Sequence, residues 1–150
     1  MTALSELRSG GKPALASTLA KLETDPDDDD LVALLTDAYL APLGRVIGLT
    51  GPPGVGKSTL AGALIAAYRA KSKSIGVIAV DPSSRRSGGA LLGDRTRLRT
   101  DPEDQDVFIR SMAARDQLGG LAEITYGAMV LMRALDDVVL VETVGVGHSE

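Results

Sequence analysis

Short apolar runs alternate with segments of helical periodicity along most of the chain. Runs rich in valine and isoleucine occupy residues 46–50, 75–80, 107–110 and 138–142. Runs of this length between turn residues are typical of buried strands in a parallel sheet. Because helical patterns separate them, the sequence predicts an α/β fold with a parallel, doubly wound sheet.

The first 44 residues have helical periodicity. Leu15, Leu19 and Leu22 recur at helical spacing after the Gly10-Gly11 pair. A second helix, ending before Pro42, is predicted to place five apolar residues on one side, namely Leu31, Leu34, Leu35, Ala38 and Tyr39. We therefore expect residues 1–44 to form an amino-terminal helical arm on a domain of residues 45–150.

An acidic turn, Asp25-Pro-Asp-Asp-Asp-Asp30, separates these two helices. Four consecutive carboxylates can suggest a divalent-cation site. Runs of like charge are usually solvated, however, and an aspartate before a helix caps its first turn. The favoured interpretation is a solvated turn that supplies the N-cap of the second helix.

The first strand leads into a glycine-rich motif. Residues 51–58 read G-x-x-x-x-G-K-S, the phosphate-binding loop (P-loop) of nucleoside triphosphatases. Val46, Ile47 and Leu49 before it predict a buried parallel strand, and the residues after it predict a helix. That helix is expected to bury Leu60, Leu64 and Ala67 on one face.

The loop sequence indicates how phosphate would be held. Glycines allow backbone angles and close approaches that a Cβ would obstruct, so successive N–H groups can point at phosphate oxygens. Lys57 is expected to reach the β- and γ-phosphates, and the Ser58 hydroxyl to ligate Mg²⁺. The predicted nucleotide-binding residues here are Gly51, Pro53, Gly54, Val55, Gly56, Lys57, Ser58 and Thr59.

Two later strands end in carboxylates. Asp81 closes the second apolar run, where it would either hold a metal-bound water or start a turn with Pro82. Glu142 closes the last run, and Gly145 follows three residues later. In switch-type nucleotidases such an acid addresses the Mg²⁺ shell, and the glycine N–H contacts the γ-phosphate. Glu142 and Gly145 are therefore predicted site residues.

Composition narrows the classes of function. The chain has 150 residues, no cysteine and a formal net charge of -4. The absence of cysteine excludes a disulfide scaffold and a thiolate metal site. The charge gives no broad basic field, so nucleic acid is not an expected ligand. Without a membrane-length apolar stretch or a signal-peptide pattern, we expect a cytoplasmic protein that does not contact membranes.

Several longer strings carry a family resemblance. They are residues 47–59 (IGLTGPPGVGKST), 79–84 (AVDPSS), 86–94 (RSGGALLGD), 108–110 (FIR), 118–120 (LGG) and 139–147 (VLVETVGVG). With them the chain resembles the methylmalonyl-CoA mutase-associated GTPase chaperones, formerly labelled arginine/ornithine transport ATPases. The resemblance covers about residues 45 to 150.

The resemblance implies a homodimeric GTPase that binds GTP or GDP with Mg²⁺. It would gate delivery of adenosylcobalamin to a cobalamin-dependent acyl-CoA mutase and protect that enzyme. By position, Lys57 and Ser58 handle phosphate and Mg²⁺, while Asp81, Asp94 and Glu142 surround the metal and the attacking water. The implied catalytic residues are Lys57, Asp94 and Glu142, and the implied metal set is Ser58, Asp81, Asp94 and Glu142.

The chain also departs from the family pattern. His148 stands where the family usually has glutamine, and Asp116 where it commonly has glycine. The family's base-reading Asn-Lys-x-Asp motif does not occur before Glu150. We therefore expect a domain truncated before base recognition, with an incomplete sheet and weak discrimination between guanine and adenine.

Other functions remain open from the sequence. A small-molecule kinase would share the P-loop, as would a nickel-insertion GTPase, although zero cysteines and one histidine leave few ligands for nickel. A non-catalytic fragment that retains phosphate binding is the third possibility.

Overall fold

The computed structural model describes residues 2–52, 55–81, 100–113 and 123–143. The helices in these ranges are α1 (Ala3–Thr24), α2 (Asp29–Leu40), α3 (Lys57–Ala70) and α4 (Glu123–Arg133). The strands are β1 (Arg45–Leu49), β2 (Ile75–Asp81), β3 (Val107–Ala113) and β4 (Val138–Thr143). All four predicted strands are confirmed, and β3 extends three residues beyond its predicted end.

The four strands form one parallel sheet in the order β1-β4-β2-β3. The last strand in sequence therefore lies between the first and the second. In register, Glu142 of β4 is opposite Leu49 of β1 on one side and Ala79 of β2 on the other. The predicted α/β class with a parallel sheet is confirmed.

Side chains of the inner strands alternate between two cores. Ile75, Val77 and Leu140 pack with α3, while Ile78, Val139 and Val141 pack with the other helices. This alternation follows from the two-residue period of a strand. Because every one of these strand positions is apolar, both faces of the sheet can be covered.

The two arm helices belong to the second of these cores. Leu19 of α1 and Leu31 of α2 are buried with Leu131 and Met132 of α4. Near the amino terminus, Arg8 donates hydrogen bonds to the carbonyl oxygens of Ala134 (3.0 Å) and Ala41 (3.1 Å). The arm thus forms part of one helical layer on the sheet.

The acidic turn has the predicted capping role. Asp28 is the N-cap of α2 and accepts a hydrogen bond from the Leu31 N–H at 3.0 Å. Its carboxylate also pairs with the Lys21 ammonium at 2.9 Å, and this hydrogen bond lowers the pKa of Asp28 below its ordinary value. The N-cap interpretation is confirmed.

The predicted face of α3 is only partly borne out, since among its three residues Leu64 alone is partly buried and packs against the core. Leu60 is 49% exposed and Ala67 is exposed, whereas Ala61 and Ile65 are buried. Both sets have helical spacing, so periodicity alone cannot choose between them. Ala61 and Ile65 are the residues that pack against the sheet, so tertiary packing determines which face of α3 is buried.

Two further burial predictions fail next to the sheet edge. Strand β1 was predicted to be buried, but Val46 is 37% exposed because, among the described strands, β1 pairs only with β4. Tyr39 of α2 was predicted on the apolar side and is 61% exposed. It lines a surface groove with Val46 and Tyr126.

Candidate nucleotide site

The P-loop lies where parallel strands of an α/β sheet place their ligands. Strand β1 ends at Leu49, and α3 begins at Lys57 after the loop. Gly51 and Gly56 have φ values of 144° and 95°, a region that favours glycine. Gly56 is the N-cap of α3 and supplies no side-chain cap. The first amides of the helix are therefore available to an anion, as the sequence predicted.

Lys57 connects the loop to the end of β4. Its ammonium donates hydrogen bonds to the carbonyl oxygen of Gly51 and, at 2.7 Å, to that of Thr143. The side chain is partly buried between the two strands. A triphosphate that binds this ammonium must compete with two carbonyl oxygens. Lys57 thus links the loop to the strand that carries Glu142.

Ser58 and Glu142 form the second connection. The Ser58 hydroxyl donates to Oε1 of Glu142 at 3.2 Å, and Glu142 is only 5% exposed. Beside them, the hydroxyls of Thr50 and Thr143 are 3.4 Å apart. The structure thus brings together the predicted hydroxyl and carboxylate, although they are 84 residues apart in sequence.

These two oxygen donors suit a magnesium ion. Mg²⁺ prefers hard oxygen ligands and usually keeps waters and phosphate oxygens in its shell, so one hydroxyl and one nearby carboxylate fit it. Within the described ranges, no group of three or more histidine, aspartate or glutamate side chains could hold a metal without such help. The chemistry of the pair therefore fits a nucleotide-bound metal.

The remaining predicted residues are only partly placed. Val55 and Thr59 are exposed around the start of α3. Asp81 ends β2 as predicted, but its side chain lies outside the described part of the structure. Pro53, Gly54, Asp94 and Gly145 also lie outside the described residues.

Sequence reasoning missed two residues of the site. Thr143 contributes its carbonyl to Lys57, and Thr50 contacts the Thr143 hydroxyl. The first contact uses a backbone atom, which no side-chain pattern reveals. The available signal was positional, since Thr50 is the last residue of the first predicted strand and Thr143 directly follows the last one.

Family comparison agrees with this site. The sequence profile described as Methylmalonyl Co-A mutase-associated GTPase MeaB matches residues 15–150. The chain belongs to this family. The resemblance drawn from the P-loop, the AVDPSS string and the VLVETVGVG string is therefore confirmed.

Two relatives are also named as GTPases. A protein of Pyrococcus horikoshii, named as a GTPase, is 45% identical over 98% of this chain and 46% of its own length. GTPase ArgK of Escherichia coli is 39% identical over 96% of this chain and 45% of its own length. The chain thus spans about half the length of these two curated relatives.

Two other matches are a much longer fused protein and a solved structure of low sequence identity. The fused isobutyryl-CoA mutase of Cupriavidus metallidurans is 37% identical over 99% of this chain, which corresponds to 14% of that protein. A crystal structure of FlhF complexed with GMPPNP and Mg²⁺ aligns with a TM-score of 0.46 and 18% identity, covering 95% of this chain and 58% of FlhF.

Among the helices of the described ranges, none combines the length and the apolar character needed to cross a bilayer.

Proposed function

We propose that this chain binds and hydrolyses GTP with Mg²⁺, and that the cycle assists adenosylcobalamin loading and protection of an acyl-CoA mutase such as methylmalonyl-CoA mutase. The observation that carries the GTPase part is the contact between Ser58 and Glu142, at 3.2 Å and next to Lys57. It joins a phosphate loop to an acidic strand end in a family of GTPases.

Each residue of the site has a proposed role. The amides of the loop from Gly51 to Thr59 bind phosphate, with Lys57 opposite the β- and γ-phosphates. Ser58 ligates the metal, and the buried Glu142 holds its water shell. A bound Mg²⁺ neutralises charge that develops on the phosphoryl oxygens.

Three residues outside the described geometry complete the proposal. Asp81 and Asp94 would lie around the metal and the attacking water. The Gly145 N–H would contact the γ-phosphate and report whether it is present. In this scheme the hydrogen bond from Lys57 to the Thr143 carbonyl couples the P-loop to the end of β4.

A mutase partner is supported by gene fusion. A protein named as a fused isobutyryl-CoA mutase contains a segment 37% identical to nearly all of this chain. A domain fused to an enzyme in one organism often contacts that enzyme as a separate chain in another. We propose the same pairing here, between a cytoplasmic homodimer and a cobalamin-dependent mutase.

The experiment measures phosphate release from GTP with and without an adenosylcobalamin-dependent acyl-CoA mutase. We expect Mg²⁺-dependent release that rises when the mutase is added. Ser58→Ala should abolish most of the release, since it removes a metal ligand. Ser17→Ala, an exposed serine of α1, is the matched control and should behave as wild type.

The mutase role and the GTPase activity can each be contradicted by a different result. Release that is unaffected by the mutase would remove the chaperone role and leave the GTPase. Nucleotide binding without any release under either condition would identify a phosphate-binding domain without catalysis.

A further inference from the structure

A polar cleft lies at the end of the sheet opposite the P-loop. Its volume is about 450 Å³, and its lining includes Gly44, Arg45, Tyr68, Lys73 and Asp137. The cleft is where β1 and β4 begin and α3 ends, whereas the P-loop is where β1 ends and α3 begins. A five-residue strand separates the two ends by roughly 17 Å, so they are distinct sites.

Backbone hydrogen bonds fix the walls of this cleft. The Arg45 N–H donates to the Asp137 carbonyl at 3.2 Å, and the Val138 N–H donates to the Ser74 carbonyl at 3.2 Å. The Asp137 carboxylate is held through Oδ2, which accepts from the Ser74 N–H at 2.9 Å and from its hydroxyl at 3.2 Å. These contacts hold the backbone of the cleft and the Asp137 carboxylate in place, whereas the side chains of Arg45 and Lys73 are exposed.

Arg45 differs from the other arginines of the described ranges. Arg8, Arg69, Arg110 and Arg133 each donate side-chain hydrogen bonds to a carbonyl or carboxylate. Among the described residues, Arg45 has no such acceptor, and Lys73 beside it in the cleft has none either. Two cations without acceptors therefore line a concave surface of a chain whose net charge is -4.

We propose that this cleft binds a small hydroxylated organic anion. The planar guanidinium of Arg45 matches a phosphate or carboxylate group, and Lys73 adds a second positive charge. Asp137 uses Oδ2 for Ser74, which leaves Oδ1 to accept a hydrogen bond from a ligand hydroxyl. A carboxylate in the same cleft disfavours a ligand that is anionic throughout, so the ligand carries its charge at one end.

Cleft size agrees with a small molecule as the occupant. Ligand clefts are usually about 300–1,000 Å³. The side chain of Tyr68 forms an apolar wall that ends in a hydroxyl. This inference is independent of the proposed GTPase function, since none of the residues involved belongs to the P-loop.

The test is a titration followed by amide chemical shifts in proton–nitrogen NMR spectra. Glycerol 3-phosphate and glycerate are the probes, uncharged glycerol is the blank, and GDP with Mg²⁺ is present in excess to occupy the P-loop. We expect shifts of the Gly44, Lys73 and Val138 amides with a dissociation constant of about 1 mM or below for at least one probe. The two probes distinguish a phosphate ligand from a carboxylate ligand.

Variants inside and outside the cleft distinguish specific binding from a general attraction of anions to surface charge. Arg45→Gln and Lys73→Gln should each weaken binding by about fivefold or more, because each removes a charge-assisted hydrogen bond. Lys71→Gln, an exposed lysine two residues away and outside the lining, should change it by less than about twofold. Lys73 is itself exposed, so its replacement does not threaten folding.

Two outcomes would overturn the proposal. One is the absence of shifts at the three cleft amides with either probe. The other is an equal loss of affinity in the Lys71→Gln variant, which would show that the anions respond only to surface charge. Shifts confined to Gly51 and Gly56 would report P-loop binding and would also contradict a second site.

Discussion

The Ser58 hydroxyl donates a hydrogen bond to Oε1 of Glu142 at 3.2 Å. This contact joins the first turn of α3 to the buried end of β4. A hydrogen bond is stronger in a low-dielectric environment, so it holds the carboxylate and hydroxyl oxygens in a fixed orientation. A divalent cation that takes Ser58 as a ligand therefore finds the glutamate already in place.

Glu142→Gln tests this arrangement. The amide retains size and can still accept from Ser58, but it removes the negative charge that faces the metal shell. We expect binding of a GTP analogue with Mg²⁺ to weaken about tenfold, or roughly 1.4 kcal/mol, with a smaller change when Mg²⁺ is absent. Calorimetric titration measures both. Glu103→Gln, an exposed glutamate, is the control.

Asp81→Asn belongs to the same experiment, since Asp81 ends the neighbouring strand β2. A loss of Mg²⁺-dependent affinity would support its place around the metal. Wild-type behaviour in both variants would mean that Asp81 and Glu142 are only residues at strand ends.

Lys57→Ala is expected to remove most of the triphosphate affinity, because it deletes the cation that faces the β- and γ-phosphates. Thermal stability without ligand should fall only slightly, by about 1 kcal/mol, since two hydrogen bonds to backbone carbonyls are lost and both oxygens lie near solvent. Calorimetry and thermal unfolding measure the two quantities. Undiminished nucleotide affinity would contradict the P-loop assignment, and Lys71→Ala is the control.

Asp136 should make stability depend on pH. Burial raises its pKa from 3.8 to about 7, and the charges of Asp137 and Asp106 add to the effect. The folded state therefore holds a proton that the unfolded state has lost between these values, so stability falls as pH rises from about 4 to 7 and levels off above 7.

The corresponding variant is Asp136→Asn, compared with Asp37→Asn at an exposed site. We expect Asp136→Asn to flatten this decline. Relative to wild type, the variant should be more stable at pH 8 than at pH 4 by about 1–2 kcal/mol of unfolding free energy. This is less than the shift in pKa would give, because water relaxes around the carboxyl. Urea unfolding at several pH values gives the free energies. A decline of equal steepness in both variants would mean that other groups cause it.

Gly44→Ala should destabilise the fold through a backbone collision. A Cβ at Gly44 would lie 2.2 Å from the Asp136 carbonyl oxygen and 2.4 Å from that of Asp137. Asp136 and Asp137 directly precede β4, and their backbone is held by hydrogen bonds from the Asp136 N–H to the Met132 carbonyl and from the Arg45 N–H to the Asp137 carbonyl. These atoms cannot easily move away, so we expect a loss of about 2–3 kcal/mol. Gly62→Ala is the matched comparison, because nothing lies within 4 Å of its Cβ and it sits inside α3. It should gain roughly 0.5–1 kcal/mol in unfolding free energy.

The exposed edge of β1 predicts self-association of the 150-residue chain. Val46 and the neighbouring Tyr39 and Tyr126 line an apolar groove beside the edge of β1, which has no partner strand among the described residues. Open edges and apolar patches of this kind favour association. Val46→Lys should reduce it in light scattering, whereas Val32→Lys on α2 should not. A monodisperse wild-type chain would contradict the prediction.

The sequence predicted the strands well because each is a contiguous apolar run. Residues 138–142 contain three valines and a leucine, and β4 is buried along nearly its whole length. It predicted Lys57, Ser58 and Glu142 as site residues because a motif fixes the first two and a strand end marks the third.

The failures share a physical cause. Leu60 and Ala61 both fit a helical stripe, and the packing of α3 against the sheet decides which of them faces the core. Val46 fits a buried strand, but its exposure depends on which strand lies beside it, which a local pattern does not contain. Tertiary neighbours decide burial at such positions.

The strand order also determines when the site can form during synthesis. Within the described sheet, strands β1 and β2 pair with β4 and not with each other, so β1 has no described partner strand until β4 has been made. Lys57 meets the Thr143 carbonyl 86 residues later in the chain. Contacts between residues this far apart in sequence require a long loop to close first, and the entropy lost in closing it slows folding. A nascent chain on the ribosome therefore exposes its P-loop strand until β4 emerges and inserts between the two strands already made.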